Sequence, residues 1–145
     1  MSVSEGIMAG LLAGTLMAAV AEIGYRVGLL RSSLLLIDGS FAARRLGREA
    51  RTWTVYALGL PVHLATSASF GLVYAGLAHW LDFDVTAPGI IALYVAVLWL
   101  SMLCVALPVA GQGFLGRRIG HFAWMEQLVL HVVFGAGFWW ALDII

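Results

Sequence analysis

The chain has 145 residues, 62% of them hydrophobic and 11% charged, with a mean hydropathy of +0.96. Soluble domains average roughly 45–50% apolar residues, so this composition excludes an ordinary soluble domain and points to an integral membrane protein. The net charge is zero, which leaves no basic surface for nucleic acid and no acidic tail for buffering cations.

A helix needs about 20 residues to cross roughly 30 Å of hydrocarbon. Four apolar runs of that length and one long loop account for residues 1–145 as a single integral membrane domain. The expected fold is all-α, a four-helix transmembrane bundle in up-down-up-down order, with the lipid bilayer as its solvent.

The first span is predicted over about residues 3–30. No Lys or Arg precedes it, so it lacks the basic start of a secretory signal peptide and reads as a retained helix; cleavage after Ala19-Val20-Ala21 is the other reading. Gly6, Gly10, Gly14 and Ala18 recur every four residues, a small-residue stripe of the kind that lets helices approach closely in lipid. It is a candidate face for a homo-oligomer. Glu22 and Arg26 continue the series. The acid therefore belongs to the packing face, where it serves either a functional site or an i, i+4 pair with an arginine that snorkels to the interface.

Residues 31–52 form the one long loop, carrying Arg31, Arg44, Arg45, Arg48 and Arg51. Its second half, from Ser40 to Leu46, suits a short amphipathic helix on anionic headgroups with Phe41 and Leu46 inward; a solvated basic loop is the alternative. The second span, about 53–80, starts and ends on Trp53 and Trp80, where interfacial aromatics belong, and Pro61 inside it predicts a kink beside His63. Asp82 and Asp84 make an acidic turn. The third span, about 88–110, has no charge. It holds Cys104, the one cysteine, which serves as a small hydrophobe and has no intrachain disulfide partner. A glycine-rich turn with Arg117 and Arg118 leads to the fourth span, about 119–142.

Seven of the eight basic residues lie in the first-to-second and third-to-fourth loops. The positive-inside rule then puts both arginine loops in the cytoplasm, facing lipid headgroups, and both termini on the periplasmic side of a bacterial inner membrane.

Four ionisable residues fall inside the spans: Glu22, His63, Glu126 and His131. At 1.5 Å per residue, Glu22 and Glu126 lie roughly 13 and 12 Å from Arg31 and Arg118, and His63 and His131 roughly 18 and 20 Å from Arg51 and Arg118. His79 and His121 fall at headgroup level. Helical phase separates Glu126 from His131 by roughly 140°; His131 shares a face with Gln127 and Gly135, and His63 with Ser67 and Phe70. The candidate polar site is therefore Glu22, His63, Ser67, Glu126, Gln127 and His131, as one cluster or two.

Several roles suit it. Interhelical hydrogen bonding would make the set structural. Buried carboxylates and imidazoles also suit the handling of protons or a small cation. His63 and His131, at matched depth on parallel helices, suit the axial ligands of a b-type haem, with Gly71 and Gly135 making room. A di-iron site is not indicated, because Glu126 and His131 lack Glu-x-x-His spacing. No Walker loop, nucleophile elbow or Cys-x-x-Cys is present, so no catalytic residue is assigned. A non-enzymatic accessory or scaffold subunit of a membrane complex is the alternative.

Three features carry a family likeness: the glycine-alanine first helix ending Ala21-Glu22, the run His63-x3-Ser67-x2-Phe70-x3-Tyr74, and the C-terminal His131-x6-Phe138-Trp139-Trp140. In these the chain resembles the uncharacterised bacterial inner-membrane proteins of the YagU type. It departs from them in a compact loop after the first helix. The resemblance implies a small multi-pass inner-membrane protein and carries no reaction or catalytic residue with it.

Overall fold

The computed structural model describes residues 1–47 and 51–145, all of the regular structure among them being helical. Arg48 lies outside the described residues.

Helix α1, Val3–Arg26, begins with a reciprocal cap. The Ser2 hydroxyl accepts from the Glu5 amide at 3.2 Å, and the Glu5 carboxylate accepts from the Ser2 amide at 2.8 Å, satisfying two donors that a helix start leaves free. It ends four residues before the expected Leu30. The reason is Gly28, at φ +77°: it reverses the chain so that the Leu29 and Leu30 amides both donate to the Gly24 carbonyl.

The loop expected over 31–52 is mostly helix. Ser33 caps α2, Leu34–Arg45, which is longer than the amphipathic segment foreseen and begins six residues earlier. It does not lie free. Its Gly39 backs onto the Val55 carbonyl, and Gly59 opposite backs onto the Leu35 carbonyl, so two backbones meet without intervening side chains. Phe41 packs inward as expected, while Leu46 lies past the helix end and is exposed.

Helix α3, Thr52–Leu81, runs continuously through Pro61. Helix α4, Pro88–Ser101, starts on a proline that needs no hydrogen bond at that position. It then widens into a π-helical turn, Met102–Ala106, and closes as α5, Leu107–Val109. Pro108 explains the widening: it has no N–H for the Cys104 carbonyl, and the Leu107 amide reaches back five residues to Met102. Gly111, Gly113 and Gly116 take positive φ in the turn that follows. That turn extends further than expected, and α6, Ala123–Ile144, starts four residues late.

Four helical stretches, Val3–Arg26, Thr52–Leu81, Pro88–Val109 and Ala123–Ile144, are long and apolar enough to cross a membrane. Helix α1 lies between α3 and α6. Its glycine stripe is filled from within the chain: a Cβ on Gly6 would fall 2.6 Å from the Gly71 carbonyl oxygen, and one on Gly10 2.3 Å from that of Ser67. Helix α3 occupies this face at Gly6, Gly10 and Gly14 within the single chain. Ala9 and Ala13 belong with Leu130, Phe134 and Phe138 of α6 to the main core. At one end of the bundle Tyr74, Tyr94, Phe134 and Phe138 form a connected aromatic cluster, with ring centroids 5.0–6.5 Å apart. The arginines gather at the other.

Candidate functional site

The two acids of the expected site are held by structural partners. Glu22 accepts from Arg26 at 2.7 Å, from the Ser33 hydroxyl at 2.7 Å and from the Tyr56 hydroxyl at 3.0 Å, joining α1, the start of α2 and α3. Glu126 accepts from the Arg31 backbone amide at 3.1 Å, with the Arg31 guanidinium 4.0 Å away. Neither acid lines a cavity with the histidines. Arg44 donates to the Ala110 carbonyl and Arg118 to the Gly111 carbonyl, so both cap the end of α5. Arg45 stacks over Phe41; Arg51 and Arg117 are exposed.

The two histidines do come together on one cavity of about 320 Å³, walled by α1, α2, α3, α6 and the π turn. Both are buried, at 7% exposure for His63 and 6% for His131. Ser67 lines the same cavity; its hydroxyl donates to the His63 carbonyl at 2.8 Å. Gln127 does not line it. Its side-chain oxygen is buried with no hydrogen-bond partner among the described residues, and its backbone carbonyl accepts from His131 Nδ1 at 2.8 Å.

The residue that completes the site is Asp38, which falls in the segment expected to be loop and is not among the candidates the sequence singles out. One turn into α2, it sets Oδ2 3.2 Å from His63 Nδ1. On the other side, His63 Nε2 lies 3.1 Å from the Gly14 carbonyl of α1. Glycine is required there, because a Cβ on Gly14 would sit 2.1 Å from the Ser67 hydroxyl oxygen.

These contacts constrain the protons. A carbonyl only accepts, so Nε2 must donate to Gly14. An ionised carboxylate also only accepts, so the second bond needs its own proton, on Nδ1 or on Asp38. Holding both bonds therefore takes two protons across His63 and Asp38, and the pair is then neutral overall, as imidazolium with carboxylate or as imidazole with carboxylic acid. Removing one proton leaves a net negative charge and sets two acceptors against each other at one of the two contacts. Protonation is thereby tied to how α3 is joined to α2 or α1.

A haem does not fit this arrangement, because both ring nitrogens of His63 are engaged and neither has a lone pair to give to iron. No group of three or more His, Cys, Asp or Glu side chains converges among the described residues.

No protein-family model, curated protein or solved structure matches this chain.

Proposed function

We propose that this is a small multi-pass integral protein of the bacterial inner membrane whose His63–Asp38 pair takes up and releases a proton at the wall of an internal cavity. The observation that carries the reading is the imidazole clamped between the Asp38 carboxyl and the Gly14 carbonyl, on two different helices. Ionisable groups this deep in an apolar bundle are costly unless paired, and they commonly mark proton or ligand paths.

An up-down-up-down crossing is supported by the order of contacts: Gly6 meets Gly71, Gly14 meets Ser67, and Glu22 meets Tyr56, so α1 and α3 run in opposite directions. Leu93, Val97, Val129 and Val132 are exposed on the outer faces of α4 and α6, which suits contact with lipid. The arginine turns suit the cytoplasmic side, which puts both termini in the periplasm. The resemblance to the YagU type implies the same membrane and leaves the orientation to the arginines.

The test is proton uptake by reconstituted vesicles carrying a pH-sensitive dye. Wild-type protein should respond to an imposed pH step, and Asp38→Asn and His63→Gln should each abolish the response. Traces unchanged by both substitutions would refute the reading. A second reading, an accessory subunit, is favoured by Glu22 and Glu126, whose bonds fasten helices and leave nothing free for transport. Under it, the same two variants would change only melting temperature or co-purification with a partner.

A further inference from the structure

Among the described residues the cavity's lining offers more acceptors than donors, the one uncommitted lining hydroxyl being that of Ser101 at its exposed edge. The hydroxyl protons of Thr66 and Ser67 are spent on carbonyls of their own helix, those of Val62 and His63. His131 has its proton on Nδ1, facing the Gln127 carbonyl, so Nε2 is an acceptor, and it has no bond among the described residues. Asp38 uses Oδ2 for His63, which leaves Oδ1 as a second acceptor. Among the described residues no lysine or arginine lines the cavity, and Phe41, Phe70 and Phe134 do. A pocket with acceptors, a carboxylate and aromatic rings suits a cation that carries N–H donors.

Size and access narrow the class. At roughly 30 Å³ for a water-sized group, a cavity of about 320 Å³ holds on the order of ten heavy atoms. Its other walls are apolar, among them Met17, Leu34, Val62 and Leu98. Thr66 on α3, and Ser101, Val105 and Val109 around the π turn, line it and are exposed. The cavity therefore opens sideways between α3 and the π-helical end of α4, toward the surface that would face lipid.

We propose that this cavity binds a small hydrophobic ammonium ion, an alkyl or arylalkyl amine in its protonated form, in exchange for one proton from the His63–Asp38 pair. The inference rests on the proton-binding reading above. The charge balance is direct: the loaded pair is neutral, and adding an ammonium would leave a net positive charge in a low-dielectric site. If the pair releases one proton to water as the ammonium enters, the site stays neutral. The only covalent change is the loss of that N–H or O–H proton, and the ammonium N–H groups then donate to the Asp38 carboxylate and the cavity's acceptors.

Other charged groups are accounted for. From α1, Glu22 faces away into its bonds with Arg26, Ser33 and Tyr56 of α3. From α2, Arg44 and Arg45 are committed to the Ala110 carbonyl and the Phe41 ring. From α6, His131 faces the cavity, and the π turn contributes no ionisable lining residue.

The experiment is calorimetric titration of the wild-type protein in mild detergent with three near-isosteric probes: 2-phenylethylammonium, neutral 2-phenylethanol and anionic phenylacetate. Two buffers of different ionisation enthalpy give the protons released per ligand bound. The ammonium should release one proton, and its affinity should rise about tenfold per pH unit on the acid side of the pair's titration. The alcohol and the carboxylate should bind about tenfold or more weakly and release none. Equal binding of the alcohol, tighter binding of phenylacetate, or ammonium binding without proton release would each overturn the inference. Asp38→Asn should lose the proton release; the wild-type comparison stands even if that variant does not fold. Nitrogen NMR of His63 in the same preparation separates the two levels. If His63 titrates with Asp38 but the ammonium releases no proton, only this inference fails. If neither His63, by its nitrogen shifts, nor Asp38, by its carboxyl carbon shift, takes up a proton, the reading beneath it fails as well.

Discussion

Replacing Gly39 by alanine should break the His63–Asp38 contact without touching either residue that forms it. A Cβ at position 39 would lie 1.8 Å from the Val55 carbonyl oxygen, a backbone atom that cannot swing aside. Carbon and carbonyl oxygen need roughly 3.3 Å, so α2 must retreat from α3 by about 1.5 Å. Asp38 is the neighbouring residue and retreats with it. Its contact with His63, now 3.2 Å, passes out of hydrogen-bond range. Overpacking of this kind costs about 1–3 kcal/mol, and a lost hydrogen bond to a charged partner costs about 1.5–3 kcal/mol. At roughly 2–4 °C per kcal/mol for a chain of this size, the melting temperature in detergent should fall by about 10 °C. The control is Gly76→Ala on α3, where an added methyl meets nothing within 4 Å and the gain in helix propensity, up to about 1 kcal/mol, should leave the protein equal or slightly more stable. The assay is thermal unfolding of the three proteins, with the nitrogen shifts of His63 recorded alongside. If Gly39→Ala melts like wild type and His63 keeps its spectrum, α2 does not dock on α3 through this glycine and the reasoning is refuted.

Glu22→Ala should destabilise the fold by about 1–3 kcal/mol, because it strips the Ser33 and Tyr56 hydroxyls of their acceptor, yet leave proton uptake in vesicles intact; abolished uptake in a stably folded variant would mean that Glu22 is part of the path. Gln127→Met removes a buried oxygen with no hydrogen-bond partner among the described residues and keeps the backbone carbonyl that holds His131, so it should raise stability by about 1–3 kcal/mol. A drop in melting temperature would contradict that. Asp84 accepts from the amide and hydroxyl of Thr86 at 2.9 and 2.8 Å, and these bonds hold its carboxyl below the usual carboxylate range. A depressed carboxyl stabilises the folded turn above its unfolded pKa and loses that effect as pH falls through the folded value. Deuterium exchange at the Thr86 amide, corrected for its intrinsic rate, should therefore show protection at neutral pH that fades only in strong acid, and Asp84→Ala should remove it at every pH.

The four long helices are legible in the sequence because their signal is additive: each is a run of apolar residues, and a run of membrane length suits little besides a spanning helix. Their ends are less legible, for reasons particular to a few residues. Gly28 stops α1 by adopting positive φ, but an apolar Val27-Gly28-Leu29-Leu30 reads as more span. Pro61 and Pro108 look alike in sequence. The first sits in an unbroken helix and the second follows a π turn, so the missing N–H that the two share leads to different local structures.

The site is half legible. Matched depth picks out His63 and His131, and they share a cavity. Helical phase separates His131 from Glu126, and the two have different partners. Asp38 escapes notice because it lies in a segment whose hydropathy is interrupted by arginines, where an acid passes for a solvated residue. The signal that could reveal it is Ser33 as an N-cap followed by Leu34, Ile37 and Phe41 on one helical face, which makes Asp38 part of a docked helix. Once α2 is docked by Gly39 and Gly59, the reason for an acid at position 38 is the histidine it faces. An imidazole that donates to a carbonyl oxygen on one side presents its other nitrogen to the neighbouring helix, and here that helix supplies a carboxyl. Among the described residues no helix of membrane-spanning length contributes an acid to the cavity, so the carboxyl comes from the short helix, and α2 is the element whose removal should silence His63.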